Sequence, residues 1–214
     1  DEAQWRMARF ASVSLDGKQV VFETFGRLWI RNVVDGSARR LTREDATSFE
    51  LFPSWSRDGK RIVFVRWTDA GLGEVHIVSA GGGSSRAVSR QPGHYLHPRF
   101  SPDGKSILVE RSAADRLSSP LWSNEPGIYR LAVDSGAAVR LTDEGRDPHF
   151  VGNDGRIYFT VDKAPKESEP AHGLVSRRRA RPGAPRDRAR CRCRGWSARS
   201  RSPGPGTRGP RRAP

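Results

Sequence analysis

His97-Pro98-Arg99-Phe100-Ser101-Pro102-Asp103-Gly104-Lys105-Ser106-Ile107-Leu108-Val109 reads as a short strand, a tight turn and a second strand. Pro102 presets φ for a type I turn, Asp103 can bond its own backbone, and Gly104 accepts the positive φ that closes it. Arg99-Phe100-Ser101 before the turn and Ile107-Leu108-Val109 after it carry the strand signal. Three further stretches repeat the pattern: residues 10–22 around Asp16-Gly17, 53–64 around Asp58-Gly59, and 148–159 around Asp154-Gly155. The turn glycines stand at 17, 59, 104 and 155, so the steps are 42, 45 and 51 residues.

Each of the first three copies has a second half. Leu28-Trp29-Ile30-Arg31-Asn32-Val33 leads through Asp35-Gly36 to Arg40-Leu41-Thr42. Glu74-Val75-His76-Ile77-Val78 leads through Gly81-Gly82 to Arg86-Ala87-Val88-Ser89, and Ile128-Tyr129-Arg130-Leu131-Ala132-Val133 leads through Asp134-Ser135-Gly136 to Arg140-Leu141-Thr142. These are alternating strands joined by glycine turns, a second hairpin per unit. Four strands recurring at this period are the pattern of β-propeller blades. The expected fold is therefore all-β: a partial propeller of three complete blades and half of a fourth, over residues 8–161. The fourth is expected to end near residue 161, after its first hairpin. The expected core is Val20, Phe22, Trp55, Ile62, Phe64, Phe100, Ile107, Val109, Phe150, Ile157 and Phe159.

The repeated wording Pro-x-Phe/Trp-Ser-Pro-Asp-Gly-Lys-x-Ile, then Ile-Tyr-x-x-x-Val-Asp-x-Gly, then Arg-Leu-Thr, resembles the TolB-type, WD-repeat-like propeller repeat. That repeat also occurs in tricorn-type proteases and in prolyl oligopeptidases. Residues 49–56, Pro92-Gly93-His94-Tyr95 and residues 119–123 more narrowly resemble the N-terminal propeller of bacterial amidohydrolases. The resemblance implies a larger ring of six or seven blades, a periplasmic or extracytoplasmic location, and a protein partner or a covalently attached hydrolase domain.

The charge divides the chain. The whole carries +14, but residues 171–214 hold fourteen arginines, no lysine and one acid, Asp187. The rest is close to neutral, as an ordinary folded domain is. Residues 162–214, rich in Arg, Pro and Gly, are expected to form a disordered basic tail, since such a composition buries too little apolar area to offset chain entropy. Three readings of it stand: a nucleic-acid arm, a solvated terminus without a role, or GC-rich DNA read in a shifted frame after about residue 172. The last accounts for arginine without lysine and for the abrupt loss of the repeat. Cys191 and Cys193 are too close for the usual zinc half-site and have no second pair. No apolar run is long enough to span a bilayer as a helix.

Two loops are expected to break the regularity, at 68–73 and 112–127, the second carrying Trp122. Long loops on a rigid scaffold often carry binding groups. His94 and His97 stand three apart near a blade entry without an evident third metal ligand. His149 precedes Phe150 in an inner strand, where it could face a channel. Gly204-Pro205-Gly206-Thr207-Arg208-Gly209 matches a dinucleotide fingerprint by letter, but follows no strand and opens no helix. No catalytic, cofactor or metal-ligating constellation is expected; His94, His97, Trp122 and His149 are the candidate channel or loop contacts. The leading expectation is a noncatalytic interaction or substrate-gating module, a piece of a larger protein. The alternatives are the propeller portion of an amidohydrolase whose catalytic domain is absent and, last, nucleic-acid binding through the tail. Open ends are also expected, with the sheets containing Trp29 and Phe159 each exposing an apolar face.

Overall fold

The computed structural model describes residues 7–43, 47–112, 125–152, 156–162 and 172–177. Fifteen strands and no helix occur among them. The first blade is β1 (Arg9–Val13), β2 (Gln19–Thr24), β3 (Arg27–Asn32) and β4 (Ala38–Arg40). The second is β5 (Phe49–Trp55), β6 (Arg61–Thr68), β7 (Leu72–Ser79) and β8 (Arg86–Ala87). The third is β9 (Tyr95–Phe100), β10 (Ser106–Arg111), β11 (Gly127–Ala132) and β12 (Ala138–Arg140). The fourth is β13 (Arg146–Val151), β14 (Arg156–Asp162) and β15 (His172–Arg177). Each sheet is antiparallel and pairs its strands in chain order.

The turn chemistry works as the sequence implies. Ser14 Oγ donates to Asp16 Oδ1 at 2.6 Å, the Lys18 amide donates to the same oxygen at 3.1 Å, and the Gln19 amide donates to Ser14 Oγ at 2.9 Å. Ser56, Asp58, Lys60 and Arg61 repeat the arrangement, as do Ser101, Asp103, Lys105 and Ser106. The serine hydroxyl first, and the lysine amide second, hold the carboxyls of Asp16 and Asp58 below the ordinary aspartate range.

The core lies between blades, because alternate residues of a strand face opposite sides of its sheet. Val21, Leu28, Ile30 and Leu41 of the first blade meet Ile62, Phe64, Val78 and Trp55 of the second. Val63, Val65, Val75, Ile77 and Val88 on the other side of the second blade meet Tyr95, Phe100, Ile107, Val109, Tyr129, Leu131 and Val133 of the third. Leu108 and Ile128 meet Ile157, Phe159, Val161 and Phe150 of the fourth.

Three expectations need correction. The fourth blade does not stop after a hairpin: β15 pairs antiparallel with β14, and Phe159 stands opposite Val175 as Val109 stands opposite Tyr129. Gly173-Leu174-Val175 thus takes the register place of Gly127-Ile128-Tyr129, so residues 172–177 do not belong to a structureless tail. Residues 163–171 and 178–214, with most of the proposed tail, lie outside the described residues. Half of the first long loop is strand. β6 and β7 run on to Thr68 and from Leu72, leaving a three-residue turn whose Gly71 amide donates to Thr68 Oγ1 at 2.9 Å. Finally, the outward flank of the sheet that contains Phe159 is not an apolar face along β14: Phe159 is buried against the third blade, and the alternation puts Tyr158 and Thr160 on the outward flank.

Candidate functional site

The first strands β1, β5, β9 and β13 lie next to one another and form an inner arc. Each contains a break in register with β2, β6, β10 or β14, between Arg9 and Ser12, Leu51 and Ser54, Leu96 and Arg99, and Arg146 and His149. At each break one residue adopts a left-handed backbone: Phe10 at φ 52°, Phe52 at 55°, His97 at 49° and Asp147 at 45°. Left-handed backbone costs a non-glycine residue about 1–2 kcal/mol. Four such residues at one register position are therefore a property of the repeat. β-bulges of this kind re-aim side chains beside functional sites.

The re-aimed side chains meet across blades. The rings of Phe10 and Phe52 lie 4.3 Å apart, and those of Phe52 and His97 lie 4.9 Å apart, edge to face. Polar groups continue the row. His97 Nδ1 stands 3.6 Å from Glu110 Oε2, which accepts the Asp147 amide at 3.0 Å. Arg99 lies 3.9 Å from the Asp147 carboxylate and donates to Ser54 Oγ at 3.4 Å. On the first blade Arg9 donates to the buried carboxylate of Glu23 at 2.6 Å and lies over the Phe10 ring at 5.6 Å. The arc thus runs from aromatic, over blades one to three, to charged and polar, over blades three and four.

His97 and His149 both belong to this arc. His149 stacks on Tyr158 at 6.1 Å, with Nδ1 3.2 Å from the Asp147 carbonyl. His94 does not join them: it packs on Trp67 at 4.9 Å, beside the turn between β6 and β7. Trp122 lies outside the described residues. Among the described residues no three His, Cys, Asp or Glu side chains are grouped as a metal site would require. Phe10, Phe52 and Asp147 were missed in the sequence. A signal was present: Pro53, Pro98 and Pro148 directly follow three of the four left-handed residues, and proline inside a strand marks a bulge or an edge. Proline also steers the residue before it away from the right-handed helical region.

Four-stranded antiparallel blades packed face to face with their first strands innermost define an arc of a β-propeller. Its repeats are TolB-type propeller repeats. A stretch of 68 residues, 31% of the chain, is 44% identical to the Tol-Pal system protein TolB of Bordetella pertussis and spans 14% of that protein. The structure of a putative TolB from Agrobacterium tumefaciens matches with a TM-score of 0.63 at 22% identity, over 80% of this chain and 58% of that one. An oligogalacturonate lyase solved in complex with manganese matches with a TM-score of 0.64 at 11% identity, over 82% of this chain and 52% of that one, which is a likeness of fold alone. No family model matches the chain. The narrower likeness to amidohydrolase propellers gains no support from these matches.

Proposed function

We propose that this chain is a noncatalytic recognition module, a piece of a larger propeller, that docks a segment of a partner protein on its inner arc. The observation that carries this reading is the line of left-handed bulges placing the rings of Phe10, Phe52 and His97 in successive contact beside the paired charges of Arg99 and Asp147. Aromatic faces give contact area at low entropic cost, and flanking charges set register and orientation. An extended segment with an apolar side chain toward blades one and two, and a hydrogen-bonding or charged group toward Arg99 and Asp147, suits this gradient. The TolB relatives are named as proteins of the Tol-Pal system, and a protein component of such a system is the kind of partner proposed.

The test is selection of a displayed random-peptide library on the purified chain. Selected peptides are expected to share an apolar residue a fixed distance from a charge, and to lose at least tenfold in affinity, about 1.4 kcal/mol, on Phe52→Ser. Peptides that bind the Phe52→Ser and Arg99→Ser variants as tightly as the unaltered chain would overturn the reading.

A further inference from the structure

The first and third blades bury a glutamate at one register place. Glu23 stands opposite Arg9 in the first, and Glu110 stands opposite Leu96 in the third. Val65 and Thr160 hold the same place in the other two blades, opposite Leu51 and Arg146. Glu23 is fully supplied: its Oε2 accepts the Arg9 guanidinium at 2.6 Å and its Oε1 accepts the Gly26 amide at 2.6 Å. Glu110 is also buried, but Leu96 gives it no cation. Its Oε2 accepts the Asp147 amide at 3.0 Å. A buried carboxylate without a paired charge is costly. Among the described residues the only basic group within 4 Å of it is His97, whose Nδ1 lies 3.6 Å from Oε2. That is beyond hydrogen-bond length, and Nδ1 is shielded from solvent with no hydrogen-bond partner among the described residues. A neutral imidazole leaves both buried groups poorly served. An imidazolium supplies the donor and the missing charge together.

We propose that His97 is a proton-dependent counter-ion for Glu110, and that its protonation loosens a partner segment docked on the inner arc; the second half rests on the docking reading above. Proton uptake draws the ring toward Glu110 into a charge-assisted hydrogen bond. Glu110 also holds the amide of Asp147, the left-handed residue of the fourth blade, so the pull passes from the third blade to the fourth. The same ring is the third member of the aromatic row, edge to face with Phe52, where the apolar side chain of the segment covers it. Covering a charged ring with an apolar group is unfavourable. The complex therefore takes up the proton less readily than the free chain, and affinity falls with pH across the imidazole range.

The strands packed against β9 bring other charged groups near. Arg99, on β9 itself, stands 3.9 Å from the Asp147 carboxylate. On β5 the neighbour of His97 is the uncharged Phe52, and Glu50 holds the Leu28 amide and the Thr42 hydroxyl. On β6 Arg61 donates to the Gly104 carbonyl and Arg66 stands opposite Glu50, while on β7 Glu74 pairs with His76. Arg111, next to Glu110 on β10, lies over the rings of Tyr95 and Tyr129. On β13 Arg146 stands opposite Thr160, and His149 Nδ1 lies 3.2 Å from the Asp147 carbonyl. His149 is thus a second imidazole in contact with Asp147, and its effect has to be separated from that of His97.

Nuclear magnetic resonance of the full chain, titrated from about pH 8 to about pH 5, tests the coupling without any partner. The Asp147 amide resonance is expected to move with the same midpoint as the His97 ring. His97→Asn is expected to abolish that movement and Glu110→Gln to shrink it. Asparagine tolerates the left-handed backbone of position 97, and an otherwise unchanged amide spectrum establishes folding. An Asp147 amide that ignores the His97 ring, or one that still moves in His97→Asn and so follows His149, would overturn the proposal. The peptides selected on the chain supply the second arm. Their affinity is expected to fall at least about fivefold between pH 8 and pH 5.5, the low end of ordinary coupling between sites, and His97→Asn is expected to bind them equally at both. Affinity that does not change with pH, or a change that survives His97→Asn, overturns the regulation and leaves the docking reading standing. If no peptide is selected, the docking reading fails and the effect on binding with it, while the titration decides the counter-ion role by itself.

Discussion

The junction between the first and second blades and that between the second and third fill the same place in the repeat with different chemistry. At the second-to-third junction the Val75 amide donates to Ser89 Oγ at 2.9 Å within its own blade, and an apolar cluster of twelve buried residues covers it. The third blade does the same with Thr142, whose hydroxyl accepts the Ile128 amide at 3.3 Å. At the first-to-second junction the equivalent amide, that of Leu28, instead donates at 2.8 Å to Glu50 Oε2, which comes from β5 of the next blade. Thr42, at the place of Ser89 and Thr142, donates to the other Glu50 oxygen at 2.5 Å. The Glu50 amide in turn donates to the Gly26 carbonyl at 3.0 Å, and the Gly26 amide donates to Glu23 at 2.6 Å. At one junction the amide beneath the apolar cluster is satisfied by a hydroxyl of its own blade. The other is tied across blades by a fully buried carboxylate whose bonds depend on one another. The register of the repeat dictates which amide must find a partner; it does not dictate where that partner comes from.

The difference is sharpest if Glu50 is removed. Glu50→Ala strands the buried Leu28 amide and Thr42 hydroxyl together, and each unpaired buried group costs about 1–3 kcal/mol. A loss of roughly 2–4 kcal/mol in urea unfolding is expected. Ser89→Ala strands only the Val75 amide and is expected to cost about 1–2 kcal/mol by the same reasoning. If the two variants lose equally, the inter-blade tie is no stronger than a local cap, and the contrast between the junctions fails.

A smaller effect concerns the turns shared by both junctions. Hydrogen bonds from Ser14 and Ser56 hold the Asp16 and Asp58 carboxyls below their ordinary values. A carboxyl with a depressed folded-state pKa contributes stability above its unfolded value, near pH 4, and loses it as pH falls through the folded value. Because these groups face solvent, the contribution is small. Ser56→Ala is expected to cost a small amount of stability at neutral pH, a loss that shrinks away as pH falls below about 4, so that the acid limb flattens. A loss equally large at neutral and acid pH would assign the serine a role independent of the carboxylate's charge.

Much of the fold was legible in the letters. Four Asp-Gly turns at regular spacing, with alternating apolar residues on both sides, specify blades because turn geometry and strand alternation are local matters. Most of the expected core is buried. β15 was not, since His172-Gly173-Leu174-Val175-Ser176-Arg177 offers two aliphatic residues before a run of arginine and declares itself only by its register against β14. Of the site, the histidines at 97 and 149 were visible as residue types near an inner strand. Their grouping was not, and His94 looked equivalent to His97 until the strand path separated them.

The amino-acid sequence by itself determined the repeat, the turns, the all-β class and the alternation that sorts each strand into two faces, because these depend on neighbours a few residues apart. Tertiary structure alone decided that Phe10, Phe52, His97 and Asp147 share one arc. It alone decided that Glu50 serves an amide of the preceding blade, and that Phe159 is buried against the third blade. These relations join residues from half a repeat to a full repeat apart, and they exist only once the blades stack.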